Sequence, residues 1–514
     1  MISDKLVSKE YMFWLSKIVD NIEARRPEGE ILVESGGSPS GTYHLGHLRE
    51  LVTSDAILLE LRRRGRQARH IYYADDLDAL RKIPVNVPAE FEKYLGMPLY
   101  KVPAPDGSDK SYAEYFIQDL ENASKILNID VEFIYTHPKY QQGFFVPAIE
   151  RALEQADKVR HTLERVSGHK LGENWSPIQI NEDGYLKKRE FVSLDKEAKT
   201  VRYLDKDDNE QDIGYQNGDV KLDWRIDWPA RWWLLKVDVE PFGRDHATKG
   251  GSYDTGAELI RQVFDHEPPM PVPYDFVNLA GDNKKMSASK GTGLDAISAV
   301  KVLPPEIIRF FMLRYPPSKR LYFDPENGVS QLIDEFAELM SSEPNSPLLE
   351  TCRRGFDPTI SQVPFTHLVA SYQAALKDPN KTIELLKRTA PEAEQSRQIL
   401  EEELKYINQW LQNWAPEEVK FELAQSLDPS KFSDDEKDYL RKLAEEIALA
   451  PENADGEWFH KAIYELKESM NLEPAQVFKP LYRAIIGKEA GPRAGWFLSI
   501  LPRDWLIKRL RLEQ

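Results

Sequence analysis

Two histidines three residues apart, His44 and His47, open an apolar-periodic run just after a turn that holds Gly36, Gly37 and Gly41. On the first turn of a helix that spacing puts both rings on one face, where their N–H groups can donate to phosphate oxygens. A helix N-terminus also offers unpaired backbone N–H groups and partial positive charge, and glycine lets a phosphate come close to the chain. A second reactive stretch lies far downstream, Lys284-Lys285-Met286-Ser287-Ala288-Ser289-Lys290-Gly291. Its lysines, serines and glycine make a cationic loop of the kind that stabilises a pentacovalent phosphate and a departing pyrophosphate. Taken singly, each has a plainer reading: surface histidines or a metal pair for the first, a solvated basic loop for the second. Together they point to nucleotide chemistry.

The elements that must position these residues follow from hydrophobic periodicity. Ile31 to Val33, with Glu34 after them, reads as a strand that runs into the glycine turn and then a helix carrying Leu48, Leu51 and Val52 to about Gly65. A strand near His70 to Tyr73 completes a strand-helix-strand unit of a doubly wound parallel sheet. Asp75 follows that strand, where parallel-sheet enzymes place ligand groups; Asp76 and Asp78 read equally well as helix N-caps. Residues 1 to about 28 read as a helix ending before Pro27, and 83 to 109 as a proline-rich excursion. Tyr112 to Leu127 reads as a helix, Val131 to Tyr135 as a strand, and Pro147 to Val166 as one long helix. Short alternating pieces between 168 and 222 (177 to 180, 190 to 194, 200 to 204) indicate a small β insertion. Residues 228 to 300 return to the sheet. From about Pro304 the pattern is helical, with segments at 329–345, 364–376, 396–415, 434–449, 456–471 and 475–487.

The first stretch resembles the HIGH signature of class I aminoacyl-tRNA synthetases, written here His44-Leu45-Gly46-His47, and the loop resembles their KMSKS signature. Ala288 holds the fourth position of that loop, so the second lysine's role falls to Lys290. Three further stretches, Ser38-Pro39-Ser40-Gly41, Trp224 through Trp232, and Phe242-Gly243-Arg244-Asp245-His246 through Asp254, are similar to class I lysyl-tRNA synthetases, relatives of the glutamyl enzymes. The resemblance implies a Rossmann-type catalytic domain with a small β insertion, followed by an all-α anticodon-binding region. Its boundaries fall at 1–167 and 223–325 for the two catalytic halves, 168–222 for the insertion and 326–514 for the helical region.

It also implies attachment of L-lysine to tRNA(Lys) at the expense of ATP, through a lysyl-adenylate. His44 and His47 would act on the transition-state phosphate, Lys285 and Lys290 on the β and γ phosphates, with Ser287 and Ser289 ordering the loop. Gly46, Gly243 and Asp245 would serve ATP, Asp245 through the ribose hydroxyls. Glutamyl enzymes carry an Arg ahead of the corresponding turn for the substrate's side-chain carboxylate; Glu34 stands there, so the charge is inverted and an ε-ammonium is favoured. The alternative for Glu34 is a solvent-exposed strand end. Gly36 and Ser38 would touch lysine from the turn, Asp75 would hold the α-ammonium, and Trp224 with His246 would wall the methylene stem. Mg²⁺ accompanies ATP. In relatives the insertion can hold a zinc ribbon; 168–222 has no cysteine, so no structural zinc is expected. Arg483, Arg493, Trp496 and Phe497 are candidates for anticodon contacts, with core packing the alternative for the two aromatics.

Whole-chain properties bound these readings. At 514 residues and 41% hydrophobic composition the chain can bury a large core in roughly two to four domains. It has no run of apolar residues long enough to cross a membrane and no secretory pattern at its start, so a cytoplasmic location and no membrane partner are expected. The single cysteine, Cys352, excludes an intrachain disulfide. A net charge of −17 argues against general nucleic-acid binding, DNA included, yet leaves room for a locally basic tRNA face. A monomer is the expected state. Two other functions fit parts of the pattern: a synthetase-like enzyme with another amino acid or a non-tRNA acceptor, and a non-catalytic RNA-binding protein. The helical C-terminal region argues against the non-tRNA acceptor; the paired histidines and loop lysines argue against the RNA-binding protein.

Overall fold

The computed structural model describes residues 7–172, 175–281, 294–387, 390, 393, 395–452 and 454–513, with side chains from Trp14 onward. These residues form two compact units, one within Met1–Val300, Ile308–Phe323 and Glu350–Arg354, the other within Lys301–Ile307, Asp324–Leu349 and Gly355–Gln514.

In the first unit, helix α1 (Val7–Arg25) precedes strand β1 (Ile31–Gly37), helix α2 (Leu45–Arg63), strand β2 (Ala68–Ala74), helix α3 (Tyr112–Ile126) and strand β3 (Glu132–Tyr135). Helices α4 (Thr136–Gln141), α5 (Val146–Glu154) and α6 (Ala156–Ser167) lead into the insertion. That insertion holds strands β4 (Ile178–Glu182), β5 (Tyr185–Lys188), β6 (Glu190–Asp195), β7 (Thr200–Leu204), β8 (Glu210–Gly214) and β9 (Val220–Leu222). The chain returns through helix α7 (Trp224–Leu235), strand β10 (Val239–Gly243), helix α8 (Ser252–Gln262) and strand β11 (Met270–Tyr274). Strands β12 (Val277–Leu279) and β13 (Leu321–Phe323) pair in parallel.

The central sheet has the order β11-β10-β1-β2-β3, and every pair in it is parallel. This is the strand order of a Rossmann-type sheet, and it reverses between β1 and β10. Inner strands of such sheets are covered on both faces and read as near-continuous apolar runs. Ile31, Leu32 and Val33 obey that rule and are buried; Glu34 and Ser35, next in the strand, are buried as well and break it. Glu34 is therefore an interior strand residue opposite Ile71, and the solvent-exposed reading of it is excluded.

Three elements depart from the sequence reading. The expected helix over 147–166 is two helices, because Gln155 at φ −116° and ψ 27° interrupts it. The insertion is two separate three-stranded antiparallel sheets, β5-β4-β9 and β6-β7-β8, richer than the three pieces expected. The aromatic stretch at 224–232 is helix α7, started by an N-cap in which Asp223 accepts from the Arg225 N–H. In the second unit the helices at Gly328–Ser342, Phe365–Ala374, Arg397–Asn413, Asp434–Ala448, Gly456–Ser469 and Pro474–Ile486 match the expected segments to within about a turn. Phe497 is core and Trp496 is partly exposed; Arg483 pairs with Glu436.

Candidate active site

Helix α2 begins with a reciprocal histidine cap. His44 Nδ1 accepts from the Gly46 N–H at 3.1 Å, and the His44 N–H donates to His47 Nδ1 at 2.9 Å. Backbone N–H groups only donate, so both Nδ1 atoms are acceptors, and the proton of each neutral ring is on Nε2. The cap thus sets the tautomer that a phosphate-binding role requires. Gly46 is tied to it: a Cβ there would stand 2.9 Å from the His44 ring. The chain just after the far signature returns to this cap: Leu45 N–H donates to Leu294 O at 2.8 Å and His44 bridges to Asp295. Lys285, Ser287, Ser289 and Lys290 themselves lie outside the described residues.

A cavity of about 430 Å³ opens beyond the carboxyl ends of β1 and β10, at the point where the strand order reverses. Ligands of open α/β sheets bind there. His44, Gly46, His47, Gly36, Ser38, Asp75, Trp224, Gly243, Asp245 and His246 all line it, so ten residues singled out in the sequence share one wall. Gly36 approaches β2 so closely that a Cβ would lie 2.6 Å from Tyr73 O. Trp224 and Trp228 each meet His246 edge to face, at 6.4 and 5.6 Å between ring centres. Glu34 is absent from that lining. It is 0% exposed and lies behind Arg231, whose Nε is 2.6 Å from Glu34 Oε1 in charge contact.

Beside the charges anticipated from the sequence, Asp75 and Asp245, the lining contains others that were not. It holds six carboxylates (Glu50, Asp75, Asp78, Asp227, Glu240, Asp245) against Arg81, Lys221 and Arg231. Glu50 accepts from the Gly36 N–H at 2.8 Å and from the Tyr274 hydroxyl. Burial outweighs those bonds and pushes its carboxyl up to about 7. Glu240 takes the Trp228 indole N–H at 2.8 Å on one oxygen, its other oxygen has no partner among the described residues, and burial holds it well above the ordinary range. Asp75 is raised too, by burial, against the pull of Arg231. Lys221, nearly sealed, sits 3.1 Å from Asp78 and 3.5 Å from Asp227. Burial disfavours the charge on Arg231, but Asp75, Glu34 and Asp227 outweigh it and hold the guanidinium fully protonated. A buried site with excess carboxylate attracts a cationic ligand.

The family profile described as tRNA synthetases class I (K) matches residues 12–352, and that of an anticodon binding domain matches 364–512. The chain belongs to the class I (K) tRNA synthetases. It is 36% identical over 505 residues to the lysine--tRNA ligase of Archaeoglobus fulgidus, covering 97% of this chain and 99% of that one. It is 34% identical over 528 residues to lysine--tRNA ligase 1 of Methanosarcina acetivorans (97% and 98% covered) and 35% identical over 521 residues to the enzyme of Pyrococcus horikoshii (97% and 99%). The charge signals were present in the sequence: Asp227 and Arg231 stand four apart in an aromatic helix, and Glu50 interrupts the apolar face of α2.

Proposed function

We propose that this chain is a lysine--tRNA ligase. The lysine carboxylate attacks the α-phosphate of ATP, giving lysyl-adenylate and pyrophosphate, and the terminal hydroxyl of tRNA(Lys) then attacks the mixed anhydride. No side chain acts as nucleophile; alignment and charge stabilisation do the work. His44 and His47 donate from Nε2 to the reacting phosphate, and Lys285 and Lys290 neutralise the β and γ phosphates, Ser287 and Ser289 ordering their loop. Gly46 and Gly243 let ATP approach the backbone, and Asp245 takes the ribose. Mg²⁺ enters with ATP as part of the substrate, held by phosphate oxygens and water.

The observation that carries this reading is the acid-rich cavity reached from the histidine cap. Lysine has two ammonium groups, and two kinds of carboxylate suit them. Asp75 takes the α-ammonium beside Gly36 and Ser38. Glu50, which faces the cavity as Glu34 does not, takes the ε-ammonium together with the Tyr274 hydroxyl. Trp224 and His246 flank the methylenes. The insertion works without structural zinc, and the helical region reads the anticodon. The enzyme acts as a cytoplasmic monomer. Among the described residues no helix is long and apolar enough to cross a membrane.

Amino-acid-dependent ATP–pyrophosphate exchange over the twenty amino acids, with and without tRNA, tests the proposal. Lysine alone should support exchange. Exchange with a different amino acid, or with none even when tRNA is present, would sink it.

A further inference from the structure

We infer that Glu34 and Arg231 are positioning residues for the α-ammonium group of lysine: Arg231 clamps one oxygen of Asp75 so that the other meets the ammonium, and Glu34 holds the guanidinium in place. The inference rests on the lysine reading proposed above.

Arg231 bridges two carboxylates through different nitrogens of its planar head. Nε lies 2.6 Å from Glu34 Oε1, and Nη1 lies 2.7 Å from Asp75 Oδ1. The guanidinium rests on the Tyr73 ring at 4.3 Å, and Asp227 stands 3.9 Å away. The Thr136 hydroxyl donates to the Ala74 carbonyl oxygen at 2.9 Å and, as the longer arm of the same bond, to the same Asp75 oxygen at 3.2 Å. Both protein donors therefore use Oδ1, no described residue bonds Oδ2, and Asp75 lines the cavity. Glu34 can do its part because it cannot move: it is sealed inside β1, paired across to Ile71.

The sequence of charges explains why a carboxylate is needed at that depth. Without Glu34 the guanidinium charge would fall mainly on Asp75, with Asp227 further off at 3.9 Å, and would weaken the attraction of Asp75 for a ligand cation. With Glu34 the series runs carboxylate, guanidinium, carboxylate, ammonium, and each charge has an opposite neighbour. A fork of fixed geometry is required to reach both sides; lysine at this position offers a single point charge.

The test compares two ligands by calorimetry on the full chain. Lysine has the α-ammonium; 6-aminohexanoate has the same carboxylate and terminal ammonium but lacks the α-amino group. Glu34→Gln should weaken lysine about tenfold and shift 6-aminohexanoate by less than about twofold. Arg231→Lys should give the same selective loss through different atoms, which keeps the test alive if one variant fails to fold. In an Asp75→Asn background, Glu34→Gln should add little further loss, as expected of groups acting in one chain. Equal weakening of both ligands would overturn the inference, because it indicates direct contact with the ε-ammonium or a purely structural role. Full additivity with Asp75→Asn would overturn it as well. Lysine-dependent exchange by the unmodified chain is the control: its absence sinks the lysine reading and this inference with it, whereas its presence alongside unselective variants sinks this inference alone.

Discussion

The Tyr274 hydroxyl and the Gly36 N–H donate to opposite oxygens of the Glu50 carboxylate, so β11, β1 and α2 converge on one acid at the cavity wall. Burial leaves that acid with a pKa of about 7. An ammonium arriving beside it favours the ionised form, so below about pH 7 lysine binding must expel a proton. Lysine affinity is therefore expected to rise with pH up to about 7 and level off above it. Calorimetric titration across that range reads the slope. Glu50→Gln should flatten the profile and cost about 2 kcal/mol of lysine binding, the scale of a lost charged hydrogen bond.

Gly46→Ala should damage chemistry more than binding. The added methyl would collide with the His44 ring and break the cap that sets both histidine tautomers. The expected result is a fall in exchange kcat on the order of 10²-fold, the scale for a misplaced transition-state donor, with lysine affinity changed by less than about twofold. Parallel measurement of exchange rates and lysine binding separates the two.

Asp55 is expected to be a stability residue. It is 0% exposed, as is its partner Arg309 at 2.7 Å, and Arg354 approaches its other oxygen at 3.3 Å. Asp55→Ala would strand two guanidinium groups, one of them fully buried, at a cost of about 3–5 kcal/mol. Denaturant unfolding, followed through the first unit's transition, measures it. A loss under about 1 kcal/mol would show the pair to be replaceable.

Glu403, in the helical unit, gives a pH-dependent stability with a definite sign. Burial raises its carboxyl from 4.5 to about 8, although the Ser361 N–H donates to it at 2.9 Å. The folded form binds the proton more tightly than the unfolded chain. Its favourable contribution is thus complete below the unfolded value of 4.5 and is lost as pH rises toward about 8. Glu403→Gln removes that loss, so the Tm of the variant should exceed that of the parent by a margin that widens from pH 5 to pH 8.

Much of this was legible in the chain, and the reasons differ by region. The strand-turn-helix around His44 and His47 carries a short continuous apolar run, a glycine turn and then an apolar-periodic run, so its elements could be read, and the residues singled out in it line the cavity. The helical unit repeats one apolar period with charged outer faces, and its six longer segments fall where that period puts them. Glu34 was singled out by its charge, but its depth was not readable, because burial of a strand interior depends on what covers it. Glu50, Lys221 and Arg231 were missed for the same reason: each is a charge within an amphipathic or aromatic segment, and only the packing of distant elements makes it a wall of the cavity. The break at Gln155 carries neither glycine nor proline to announce it.

The anchoring of α2 carries a consequence for how the molecule comes into being. Arg49, wholly buried, donates to the carbonyl oxygens of Asp275 at 2.6 Å and Lys319 at 2.7 Å, the second of these 270 residues along the chain. Bonds of this span are what make large α/β units slow and stepwise folders. At ordinary synthesis rates the partner carbonyl follows Arg49 out of the ribosome by on the order of ten to fifty seconds. During that interval a guanidinium and the helix that bears the histidine cap have no permanent seat. The nascent chain must therefore emit the whole β insertion and reach β13 before α2 gains its last anchor.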